Sequence, residues 1–147
     1  MVTQTLSEVN SNNSSQNSAK YTFNENLNVE FLNKTYGENL SFCEKMFGIF
    51  LSTTDADMIT LMEYIHHNNY EAVRALSHKI KNNFTWVGLP KLSKMMYDLE
   101  NMARKQGSLN LNFDITHLQK SYSESLKYVK NEYENLRVFT SQNNTGI

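Results

Sequence analysis

Apolar residues recur at spacings of three and four along most of this chain, and that period marks amphipathic α-helices. A short run of the kind covers about residues 29–36 and is closed by Gly37. From about Glu38 to Leu51, Leu40, Cys43, Phe47 and Phe50 fall on one side. Ser52-Thr53-Thr54-Asp55 then offers capping side chains, which predicts a separate helix over about residues 55–67 with Met58, Leu61, Met62 and Ile65 inward. Asn68-Asn69 makes a tight connection. The next helix, about residues 70–87, turns Val73, Leu76, Ile80, Phe84 and Val87 to one face. Gly88 supplies a stop, and Pro90 suits the first turn of the following helix. That helix, about residues 89–106, carries Leu92, Met95, Met96, Leu99 and Met102, and Gly107-Ser108 ends it. A last stretch over about residues 114–139 repeats Ile115, Leu118, Tyr122, Leu126, Val129, Tyr133 and Leu136.

Short connections between long amphipathic helices make neighbours antiparallel. The expected fold is all-α, an up-and-down antiparallel four-helix bundle with a short additional N-terminal helix. Residues 1–22 are rich in Ser, Asn and Gln and read as a disordered tail. Residues 23–140 form the bundle domain, and residues 141–147 read as a flexible C-terminal tail.

Charge narrows the function classes. Charged residues make up 20% of the 147, and the net charge is −1. That balance gives no reason to expect nucleic acid or an anionic membrane surface as partner. No run approaches the roughly 18 apolar residues of a membrane span. Residues 1–20 show no basic segment followed by an apolar block, so a cytoplasmic location is expected. A monomer is expected as well. The single cysteine, Cys43, lies in line with Leu40, Phe47 and Phe50 and reads as a buried structural thiol.

His78 is the residue that packing does not explain. A helix turns about 100° per residue, so Ile80 lies nearly opposite His78. Glu71, Arg74, Lys81, Asn82 and Thr85 share the wet side with it. An imidazole nitrogen held in solvent on a rigid helix is a competent nucleophile near neutral pH. Lys81, one turn on, can screen the charge of an anion bound there. Either Glu71 or Ser77 is a candidate to orient the ring. No Gly-rich phosphate-cradling loop is present, so neither ATP binding nor autokinase activity is expected.

These residues resemble the histidine-containing phosphotransfer domains of two-component phosphorelays. The resemblance lies in His78-Lys79-Ile80-Lys81-Asn82, in Gly88 ten residues after the histidine, and in the Leu-rich helix closing at Leu99-Glu100. Upstream, Phe47-Gly48-Ile49-Phe50-Leu51 and Asn68-Asn69-Tyr70-Glu71 match the family's order. The resemblance covers about residues 31–107. It implies a phosphoryl carrier rather than an enzyme. His78 would be the phosphoacceptor, Lys81 the charge-screening cation and Gly88 the helix stop. The partners implied are response-regulator receiver domains and a hybrid histidine kinase. The chain itself needs no cofactor, since the magnesium belongs to the receiver. Asn82 departs from the family's usual glycine, which favours a second possibility, a helical adaptor that binds a signalling partner without being phosphorylated.

The docking surface is expected to centre on the His78 face. Asn82, Thr85 and Arg74 would form its polar part, and Phe31, Leu32 and Tyr36 its apolar part. Trp86 falls on the flank. His66 and His67 end their helix and suit its dipole. Met95, Met96 and Met102 read as core filler. Asn83 lies toward the apolar side and calls for a hydrogen-bond partner.

Overall fold

The computed structural model describes residues 20–105 and 113–144. Among the described residues there are five helices and no strands. They are α1 (Val29–Tyr36), α2 (Leu40–His66), α3 (Tyr70–Trp86), α4 (Pro90–Lys105) and α5 (Ile115–Asn144). The four long helices form the bundle, and α1 is the short addition. Helices α3 and α4 make the most extensive contact, α2 packs on α3 and α5, and α4 meets α5 more sparsely. Cys43, Phe47, Leu61, Ile80, Phe84, Met96, Leu99, Leu118 and Leu136 are fully buried between them. Burial pushes the Cys43 thiol up to about 12, as suits a structural cysteine.

Asparagines start three of the helices. Asn28, Asn39 and Asn69 each accept a hydrogen bond from the backbone N–H three residues on. Asp114 does the same for α5 through His117 N–H. Each satisfies one of the donors that a helix N-terminus leaves unpaired.

The predicted break at residues 52–55 does not occur: α2 runs straight through. Ser52 and Thr53 turn their hydroxyls back onto the carbonyl of Ile49 inside the helix instead of capping a new one. Thr54 is fully buried and continues the apolar stripe from Phe50 to Met58 and Leu61. No glycine or proline interrupts that stripe. Both tail boundaries also move. Tyr21, placed with the N-terminal tail, packs on the core and donates a hydrogen bond to buried Glu132. Glu132 accepts a second bond from Asn24 N–H at 2.8 Å. At the other end α5 continues to Asn144. Residues 1–19, Gly107-Ser108 and residues 145–147 lie outside the described residues.

The turn after α3 positions the site. Gly88 has φ +77°, Leu89 N–H reaches Phe84 O at 2.9 Å, and Gly88 N–H reaches Thr85 O at 3.0 Å. This is a Schellman closure, and it needs the left-handed conformation that glycine adopts without cost. The same turn holds α1, because Asn28 N–H donates to Gly88 O at 2.9 Å. A Cβ on Gly88 would meet Asn28 N at 3.0 Å and Leu32 Cδ1 at 3.1 Å. Gly88→Ala should therefore lower the unfolding free energy by about 2 kcal/mol, from backbone strain and the displaced α1 entry together. Urea denaturation checks this, and an unchanged midpoint would contradict it.

Candidate functional site

His78 lies near the middle of α3, and its side chain is 54% exposed. Its Nδ1 is 3.0 Å from Oε2 of Glu100 on α4. The Glu100 side chain is only 6% exposed. A carboxylate can only accept, so Nδ1 carries the proton and donates it. The lone pair of the neutral ring is then on Nε2, which has no protein hydrogen bond among the described residues.

Glu100 gathers three donors. Besides His78, Lys81 Nζ lies 3.2 Å from Oε1, and an Arg104 guanidinium nitrogen lies 3.0 Å from Oε2. Burial works to raise the Glu100 carboxyl, but hydrogen bonds from Lys81 and His78, with the charges behind them, outweigh it and hold it below the usual carboxylate range. Lys81 Nζ also lies 3.4 Å from His78 Nδ1. With the proton on Nδ1 that approach is a contact and not a donated bond. The ammonium sits 5.5 Å from the centre of the Tyr97 ring, which helps hold it in place.

Glu100 is a site residue that the sequence pattern marks only as the end of the Leu99-Glu100 motif. Neither proposed orienting group does that work. Glu71 is ion-paired with Arg74. Ser77 is fully buried, and its hydroxyl has no hydrogen-bond partner among the described residues. A signal was available: Glu100 falls four residues after Met96 and eight after Leu92, on the apolar stripe of α4. A lone carboxylate there must be paired.

Around the histidine, the polar residues expected on its face lie there. Arg74 is one turn before His78 on α3 and is partly exposed. Asn82 is exposed, and its amide has no protein partner among the described residues. The Thr85 hydroxyl shares a hydrogen bond of 2.8 Å with Ser93 Oγ and donates to Lys81 O at 3.1 Å, so it ties α3 to α4. Asn83 is only partly buried, so no hydrogen bond is demanded of it.

The apolar part needs correction. Leu32 and Tyr36 are fully buried and cannot dock a partner. Leu32 packs toward Gly88, and Tyr36 OH donates to Trp86 O at 2.8 Å. Helix α1 turns these two inward because it has one apolar face, and the bundle takes it. Phe31 stays partly exposed. Its ring meets that of Trp86 edge-on at 6.4 Å, and Trp86 is 40% exposed. Between α1, α3 and α4 lies a groove of about 330 Å³. Phe31, Lys81, Thr85 and Tyr97 are among the residues that line it. Lys81, one turn on from His78, lies in its wall.

Compared with family models, with curated proteins and with solved structures, the chain matches none. What the site can do therefore follows from its geometry. No described helix is long and apolar enough to cross a membrane. The described residues hold no cluster of three or more metal-ligating side chains.

Proposed function

We propose that the protein is a phosphoryl carrier that takes a phosphoryl group on Nε2 of His78 from the aspartyl phosphate of a receiver domain and passes it to another receiver. The observation that carries this reading is the His78–Glu100 pair. A buried carboxylate fixes the proton on Nδ1 and leaves the exposed nitrogen as the nucleophile.

In the transfer, Nε2 attacks phosphorus and the bond from phosphorus to the aspartyl oxygen breaks. The electron pair of that bond stays on the aspartate, which leaves as carboxylate. The ring keeps its proton on Nδ1, donated to Glu100, so the positive charge that develops on the imidazole faces a fixed negative one. Lys81 and Arg104, both anchored to Glu100, and Arg74 one turn away supply cations near the incoming phosphoryl oxygens. Phosphoryl transfer needs positioning and charge neutralisation above all, and this site offers both. Phe31 and Trp86 give a receiver an apolar edge to dock on, and Asn82 offers a free amide within its reach. The chain would work as an intermediary between a hybrid histidine kinase and a response regulator.

The test uses the full chain and a panel of receiver domains charged with acetyl phosphate. The expected result is an acid-labile, base-stable phosphate that maps to the peptide containing His78. Binding of receivers without any label would favour the adaptor reading that Asn82 suggested. Label on another residue would overturn the site.

A further inference from the structure

Helix α2 buries one face and leaves most of the other without a partner among the described residues; at its N-terminal end Phe42 also meets the Tyr36 ring at 5.9 Å. Ile59 is 63% exposed, Ile49 50% and Phe42 45%. From residue 42 to residue 66, positions spaced alternately by three and four are all exposed. That is the period of a coiled-coil seam, on the side of α2 facing away from the bundle.

The seam is self-complementary when reversed. In an antiparallel pair, each residue before the midpoint meets one equally far beyond it. With Thr54 at the midpoint, Ile49 meets Ile59, Ser52 meets Ala56, and Lys45 meets Glu63. These three layers join residues of similar size, and the charged layer joins opposite signs; the outermost layer sets the Phe42 ring against the His66 ring. Neither Lys45 nor Glu63 has an ion pair among the described residues. A parallel pair would stack Lys45 on Lys45 and Glu63 on Glu63 instead. The small layer at Ser52 and Ala56 lets the two backbones approach at the centre, with an isoleucine layer on either side. Charge complementarity therefore identifies the occupant as the same surface in a second copy.

We infer that the protein forms an antiparallel homodimer through the outer face of α2, centred on Thr54. This replaces the monomer expected from the sequence. It is independent of the phosphoryl-carrier reading, because the seam uses none of the residues that touch His78, Lys81 or Glu100. Each dimer presents two separate histidine sites.

The test is sedimentation equilibrium of the full chain over a range of concentrations. Wild type should approach twice the monomer mass as concentration rises. K45E and E63K alone each place like charges in two layers and should weaken the dimer about tenfold. The double variant K45E/E63K should recover wild-type affinity. An equimolar mixture of the two single variants should form a heterodimer tighter than either homodimer. All these substitutions are on exposed positions, so the fold tolerates them. A monomer at every concentration, or a dimer that the charge reversals leave unchanged, would overturn the inference.

Discussion

Replacing His78 with glutamine should abolish phosphate uptake and leave the fold intact. The two consequences separate because of where the ring sits. Its side chain is more than half exposed, so removing it opens no cavity. Its one strong bond is to Glu100, and glutamine can donate an amide hydrogen in its place. Glu100 also keeps Lys81 and Arg104. The stability change should stay within about 1 kcal/mol. The label, in contrast, should fall to background, since no other imidazole has this setting. His66 and His67 stack edge-on at the end of α2, and His67 Nδ1 bonds the backbone carbonyl of Glu63 at 2.8 Å, not a carboxylate. Undiminished labelling of His78→Gln would remove His78 from the mechanism.

Glu100→Ala should be costly in both respects. It strips three donors of their shared acceptor, and Lys81 is the most enclosed of them. Breaking a paired buried charge leaves the partners uncompensated, and here their partial exposure limits the loss to about 2–3 kcal/mol. Transfer should slow by about 100-fold, because the ring loses its tautomer and its orientation. Glu100→Gln should recover most of the stability but little of the rate, since an amide restores the shape without the charge. Equal transfer rates in wild type and Glu100→Gln would show that the carboxylate only fills space. Acid should act through the same group. The folded-state carboxyl sits below the unfolded value of about 4.3, so its stabilisation is complete above that pH. It is lost as pH falls through the lower folded value. Urea midpoints of wild type should drop through that acid window, and those of Glu100→Gln should drop less.

Most of the fold was legible because period and punctuation agreed. Val73 to Val87 gave α3 its face, and Gly88 and Pro90 marked the turn that follows. The continuity of α2 is hidden in the sequence because hydroxyl residues look alike as N-caps and as back-bonding residues within a helix. Only the buried stripe through Thr54 separates the two, and threonine hides in that stripe as a polar letter. At the site, His78 and Lys81 were legible from the polar face of one helix. Glu100 was not, since its role depends on how α4 is rotated against α3, and that rotation is tertiary. The same holds for α1. Its apolar Leu32 and Tyr36 suit a docking surface by pattern alone, whereas the hydrogen bond from Asn28 to Gly88 folds that helix against the bundle. Glu132, buried under Tyr21 and Asn24, shows the pattern again: a carboxylate on an inward stripe awaits donors that arrive from a distant segment.

In the proposed transfer, Glu100 holds the proton on Nδ1 so that Nε2 of His78 takes the phosphoryl group. Its most direct measurement is nitrogen–phosphorus coupling in protein with isotopically labelled histidine, charged by a phosphorylated receiver. The expected result is coupling to Nε2 of His78, with the proton retained on Nδ1. Coupling to Nδ1, or to any other histidine, would contradict it.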